Sequence, residues 1–250
     1  MTTEEKGKID GPNGRLSFRR IAGGAPSLVW LGGFRSDMSG TKAEALANWA
    51  AGAGKAFLRF DYSGHGESEG DFVDGTISNW LEDARAAIET LTSGPLILVG
   101  SSMGGWIAAL IALAMRERMA GLVFIAPAPD FTEELIWNSM NRAAQEELML
   151  EGRLFEESPY SDEPTIITRK LIEDGRNHLI LGGTIAISCP VRILQGMADN
   201  EVSWRHALRF ADRLATNDLE MTLIKAGDHR LSKPHEIKRI IASIESLTAP

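Results

Sequence analysis

Cysteine is almost absent: Cys189 is the one thiol in 250 residues, so no intrachain disulfide can form. It sits in the apolar run IAISCPVRIL, where a small buried hydrophobe is the expected role and a catalytic one is not. Positive charge is scarce and unclustered. No run of five or more Lys or Arg occurs and the formal net charge is −8, so the basic patch that nucleic-acid binding needs is missing. No stretch of 18 uncharged apolar residues exists, which argues against an integral membrane protein. The opening MTTEEKGKID is polar and lacks the apolar core of a secretory signal peptide, so a cytoplasmic location is expected. Internal repeats and low-complexity segments are also absent.

What remains is the composition of an ordinary globular protein. Hydrophobic residues make up 44% and charged residues 24%, enough for one large core around a water-excluded site. At this length an α/β fold is expected to form a single domain over residues 1–250.

Short apolar runs alternate with segments of helical period, the signature of βαβ units and a mostly parallel sheet flanked by helices. Strands are expected at 27–34, 55–64, 95–102 and 121–129, with helices at 42–54, 77–91 and 103–117 between and after them. The rhythm then breaks. Residues 130–187 read as helical pieces, FTEELIWNSMNRAAQEELML and EPTIITRKLIEDG, joined by a polar loop with Pro159 and Pro164. No strand is expected again until PVRILQGMAD (190–199), after which strand and helix alternate to the end. An insertion of this length with its own helices reads as a small helical lid over a site.

Gly100-Ser101-Ser102-Met103-Gly104 has the form G-x-S-x-G. The pattern alone is weak, because Gly and Ser are common. Its setting is specific: the apolar strand LILV runs straight in and the apolar helix MGGWIAALIALA runs straight out. A serine on such a strand–turn–helix elbow projects its hydroxyl above the sheet, at the positive end of the helix dipole. Ser102 is the expected nucleophile. Ser101, the rival hydroxyl, lies at the x position.

A serine hydroxyl is a poor nucleophile at neutral pH and needs a base. In enzymes with this elbow the partners follow in the order Ser, Asp or Glu, His. Of the five histidines, His229 lies late, just past the expected last strand LEMTLIK. His65 precedes the nucleophile, His178 lies in the insertion, His206 falls within a helix, and His235 heads the last helix. The orienting acid is expected at the end of PVRILQGMAD, which is Asp199, 97 residues after Ser102 and 30 before His229. Glu201 and Asp228 are its rivals. Acyl transfer also needs backbone donors for a developing oxyanion. Met103 N–H is one expected donor and Phe34 N–H, in the glycine turn of WLGGFRSDM, is the other; Arg35 or Ser36 are alternatives to Phe34.

The elbow VGSSMGGW, the turn LGGFRSDMSGTKA, the segment RFDYSGHGESEG, the strand CPVRILQGMADNEVSW and the late DHRL resemble the α/β-hydrolase superfamily. More narrowly they resemble its subgroup of palmitoyl-protein thioesterases and acyl-glucuronide esterases and their bacterial relatives. The resemblance covers nearly the whole chain except the insertion. It implies the α/β-hydrolase fold, Ser102, Asp199 and His229 as a catalytic triad, and Phe34 and Met103 as oxyanion donors. It makes His65 a structural residue of the tight turn DYSGHGES. Two departures stand out: Leu31-Gly32-Gly33 replaces the His-Gly of many relatives, and the start carries no Arg-rich transit peptide.

The insertion is rich in apolar residues, among them Trp137 and Met140, which are expected to line an apolar acyl site. The function expected is serine hydrolysis of a carboxylic ester or thioester, small or carried on an acylated protein, with no cofactor and no metal. Amide hydrolysis, carbon–carbon hydrolysis and acyl transfer use the same triad and stay open. A haloalkane dehalogenase or epoxide hydrolase is disfavoured, since both resemble this fold with an aspartate at the elbow. A ligand-binding hydrolase scaffold is disfavoured because all three triad residues are present.

Overall fold

The computed structural model describes residues 4–156 and 164–248. In chain order its elements are β1 (Glu5–Gly11), β2 (Gly14–Ile21), β3 (Gly24–Leu31), α1 (Thr41–Gly52), β4 (Lys55–Phe60), α2 (Ile77–Leu91), β5 (Leu96–Ser101), α3 (Met103–Ala114) and β6 (Met119–Ile125). There follow α4 (Arg142–Glu151), β7 (Arg153–Glu156), β8 (Thr165–Thr168), α5 (Arg169–Gly175), β9 (Val191–Gly196), α6 (Trp204–Arg213), β10 (Leu219–Ile224) and α7 (Pro234–Thr248). Eight strands form one sheet in the order β1-β2-β4-β3-β5-β6-β9-β10. From β4 to β10 every pairing is parallel; β1 and β2 add an antiparallel edge. This is the α/β-hydrolase fold.

The continuous apolar runs arise because the central strands are covered on both faces. Side chains alternate across a strand, so each run divides between two cores. Leu96, Leu98, Leu122 and Phe124 pack on one face with α2 and α3, while Ile97, Val99, Val123 and Ile125 pack on the other with α1 and α7. Helix α3 is apolar all round and buried along nearly its whole length. It lies directly on the sheet: a methyl group at Gly104 would strike the carbonyl of Leu31, and one at Gly100 would strike that of Gly104.

The N-terminal hairpin lies outside the strands expected from the sequence. Within the insertion two expectations are corrected. The first helical piece is not continuous: a π-helical turn (Thr132–Ile136) and a 3₁₀ turn (Trp137–Ser139) precede α4. Asn141 starts α4 by accepting the Ala144 N–H at 3.0 Å, because its short side chain competes better as a cap than within a helix. The second piece opens as a strand rather than a helix. Thr165-Ile166-Ile167-Thr168 is β-branched throughout and pairs antiparallel with Arg153–Glu156. Thr168 then caps α5, accepting the Leu171 N–H at 3.1 Å. Pro164 and residues 151–156 are described; residues 157–163 of the polar loop, Pro159 included, lie outside the described residues.

This cap region carries its own apolar cluster of Leu148, Ile167 and Ile172. Asp130 closes its base. Its buried carboxylate accepts the Ile180 N–H at 2.9 Å and the Leu181 N–H at 2.8 Å, so the two ends of the segment meet. Ser78 of α2 ties on the far side, with its N–H and hydroxyl on Asp174 at 2.8 and 2.7 Å. Cys189 is half-buried against the main core rather than fully buried.

Candidate active site

Three elements bring the expected residues together. Ser102 stands between β5 and α3 with φ 55° and ψ −120°, a left-handed conformation that costs a non-glycine residue about 1–3 kcal/mol. The elbow is held by its surroundings: the Ser102 N–H donates to the Ile125 carbonyl at 2.9 Å, and the Ser102 carbonyl accepts from Gly105 and Ala128. Ser101 is the last residue of β5.

His229 Nε2 lies 3.0 Å from Ser102 Oγ, and its Nδ1 lies 2.8 Å from Asp199 Oδ2. A carboxylate can only accept there, so Nδ1 carries the proton and Nε2 presents a lone pair to the serine hydroxyl. Asp199 follows β9 with its side chain fully buried. Its second oxygen accepts the N–H groups of Glu201 and Val202, both at 2.9 Å. Burial pushes the Asp199 carboxyl up, but the bond and charge of His229 and the two backbone donors outweigh it and leave it below the ordinary range.

The rivals are placed elsewhere. Asp228 Oδ1 accepts the Leu231 N–H at 3.0 Å, shaping the turn after the histidine. The Glu201 carboxylate is partly exposed, and its Oε2 comes within 3.7 Å of His229 Nε2. His206 is buried and donates from Nε2 to the Pro129 carbonyl at 2.8 Å. His178 meets Ser78 Oγ at 2.7 Å on the cap side of α2, and His235 is exposed.

The turn after β3 lies against the nucleophile: a methyl group at Gly33 would come within 3.4 Å of Ser102 Cβ. The Arg35 N–H donates to His65 Nε2 at 3.3 Å, and the Ser36 N–H donates to the Gly33 carbonyl at 3.1 Å. Both alternatives to Phe34 are therefore committed. Among the described residues, no such bond takes up the N–H of Phe34 or of Met103. The Phe34 ring packs on Phe72, Phe131 and Trp80, with centroids 4.8, 5.6 and 5.8 Å away. It also touches the cap cluster, which Trp137 and Met140 join. Those two thus sit beside Leu148, Ile167 and Ile172, with the Arg176 guanidinium 4.7 Å from the Trp137 ring centre. A cavity of about 190 Å³ lined by Arg35, Asp37, His65 and Phe72 opens beside the turn.

Sequence reasoning missed two supporting residues. Gln195, fully buried in β9, donates to Asp199 Oδ2 at 3.0 Å and to the Val202 carbonyl at 3.0 Å. A lone amide inside the run VRILQG was the available signal. Lys42 donates its ammonium to the Arg230 carbonyl, next to His229, and nothing in the local sequence announces that contact.

Comparison with known proteins identifies the family and the fold. Residues 28–174 match the family described as serine aminopeptidase, S33. The mitochondrial palmitoyl-protein thioesterase of Mus musculus is 35% identical over 93% of this chain and 78% of its own length. A hydrolase from Agrobacterium vitis superposes with a TM-score of 0.93 at 44% identity, covering 98% of this chain and 99% of that one. Alpha/beta hydrolase domain-containing protein 10 from mouse superposes with a TM-score of 0.91 at 33% identity, over 98% of both chains. Est1E from Butyrivibrio proteoclasticus, at 19% identity and a TM-score of 0.80 over 97% of both chains, shares the fold.

Proposed function

The chain belongs to the serine aminopeptidase S33 family of α/β-hydrolases, and from that premise we propose that Ser102, His229 and Asp199 are its catalytic triad. It is a serine hydrolase of esters or thioesters. The observation that carries the residue assignment is the continuous hydrogen-bonded line Ser102–His229–Asp199, at 3.0 and 2.8 Å.

Ser102 Oγ attacks the acyl carbonyl as His229 Nε2 takes its proton. Asp199, already ionised, holds the Nδ1–H tautomer and stabilises the imidazolium that forms. The negative oxygen of the tetrahedral intermediate lies against the N–H groups of Phe34 and Met103, where each donor contributes about 2.7–4 kcal/mol. His229 returns the proton to the departing alcohol or thiol, and the acyl–oxygen or acyl–sulfur bond breaks. Water, giving its proton to His229, then attacks the acyl-serine; the acyl–Oγ bond breaks, His229 returns the proton to Ser102 Oγ, and the acid leaves.

The cap forms the wall over an apolar acyl chain, with Phe34 at the junction and Trp137 and Met140 behind it. The relatives are named for palmitoyl-protein thioesters, which supports an acyl thioester, free or protein-borne, as substrate. No helix among the described residues is long and apolar enough to cross a membrane, and the mammalian relatives are named mitochondrial.

A panel of p-nitrophenyl esters from short to long acyl chains, run beside acyl-CoA thioesters, tests this. Turnover that rises with apolar chain length and vanishes in Ser102→Ala is expected. No hydrolysis of any member contradicts the proposal.

A further inference from the structure

The turn from Gly33 to Ser36 has an unusual third residue. Arg35 has φ 57°, the left-handed conformation that four-residue turns usually give to Gly or Asn. The common alternative, with a right-handed third residue, differs by a flip of the Phe34–Arg35 peptide, which would turn the Arg35 N–H the other way.

His65 faces that N–H. It is 3% exposed, and Nδ1 donates to the Ser63 carbonyl at 3.2 Å, so the tautomer leaves a lone pair on Nε2. That lone pair receives the Arg35 N–H at 3.3 Å. The rings of Tyr62, Phe72 and Trp80 meet the imidazole edge-on at 5.7, 5.2 and 5.2 Å and fix its plane. Burial lowers the imidazole pKa to about 4, so the acceptor stays available at neutral pH. The other end of Arg35 is also held: its guanidinium donates to the Pro164 carbonyl at 3.1 Å and to Thr165 Oγ1 at 2.9 Å, on the cap.

We propose that His65 is a positioning residue for the oxyanion turn: by accepting the Arg35 N–H it pins the Phe34–Arg35 peptide and so holds in place the adjoining Gly33–Phe34 peptide, whose N–H faces the reacting carbonyl oxygen. This rests on the assignment of Phe34 N–H as an oxyanion donor. Packing alone requires only a flat ring of this size. The turn requires an acceptor at Nε2.

The test compares His65→Leu and His65→Gln in hydrolysis of p-nitrophenyl butyrate and in inhibition by an aryl trifluoromethyl ketone, which forms an oxyanion on the serine. In His65→Leu, kcat and ketone affinity fall together by roughly tenfold to a hundredfold while KM stays within about twofold. His65→Gln, whose Oε1 reaches toward the Nε2 position, recovers most of both. Wild-type kcat in a folded His65→Leu protein overturns the proposal, as does a loss confined to KM or an equal loss in both variants. If His65→Leu fails to fold by near-UV circular dichroism, His65→Gln decides. Ketone affinity within about threefold of wild type supports the assignment, and a tenfold loss in a folded protein overturns it. Ser102→Ala runs alongside; undiminished hydrolysis there sinks the serine assignment itself, independently of His65.

Discussion

Gln195 donates to the same oxygen of Asp199, Oδ2, that His229 Nδ1 reaches, at 3.0 against 2.8 Å. All acceptors of this buried carboxylate face are therefore occupied, and the acid cannot rotate without breaking a bond. Gln195→Leu is expected to lower kcat by about tenfold with KM little changed, and to cost about 1–3 kcal/mol of stability through the orphaned carbonyl of Val202. Asp199→Asn, which favours the wrong tautomer of His229, is expected to lower kcat by about 10⁴. Steady-state kinetics and chemical denaturation separate the two effects.

On the proposed assignment, Phe34 serves through its backbone and its ring in different ways. Phe34→Ala keeps the N–H, so kcat on a short-chain ester should stay within about tenfold. The lost ring, half-buried among Phe72, Phe131 and Trp80, should cost about 2 kcal/mol of stability and weaken selection among long acyl chains. Comparing kcat/KM across chain lengths checks this; a collapse of activity on every chain length contradicts the backbone role.

Much of the fold was legible because the central strands are buried on both faces and leave unmistakable runs such as LILV and GLVF. The edges were not. In β1 the side chains of Lys6 and Lys8 are exposed, so the strand carries no apolar period, and the Asn13-Gly14 dipeptide was the only local hint of a hairpin. The cap hairpin is similar, with Arg153 and Phe155 facing solvent. Ser102, Asp199 and His229 could be picked out from motif and chain order. Their supports could not, since the pairing of His65 with Arg35 depends on how two loops 30 residues apart meet in space.

Asp61 makes stability pH-dependent. Burial lifts its carboxyl to about 6, although the N–H groups of Glu67 and Met38 pull it down. Between the unfolded value near 4 and about 6, the folded protein binds the proton that the unfolded chain has lost, so stability falls as pH rises through this window. In Asp61→Asn that decline is absent. The stability of the variant relative to wild type should rise by up to about 3 kcal/mol from pH 4 to pH 6. Urea unfolding at several pH values reads the difference; parallel curves contradict it.

Asp130 anchors the cap base. Asp130→Ala leaves the buried N–H groups of Ile180 and Leu181 without their acceptor, at a cost of about 2–4 kcal/mol. The loss should fall locally. Limited proteolysis is expected to cut the variant within 130–187 well before the wild type, with the sheet intact by circular dichroism.

The most direct test of the central assignment is the site of covalent capture by a fluorophosphonate, located by peptide mass spectrometry. One adduct per chain is expected on Ser102, lost in Ser102→Ala and formed at least about a hundredfold more slowly in His229→Ala. No labelling of the wild type, or equal labelling of Ser102→Ala, would contradict the account.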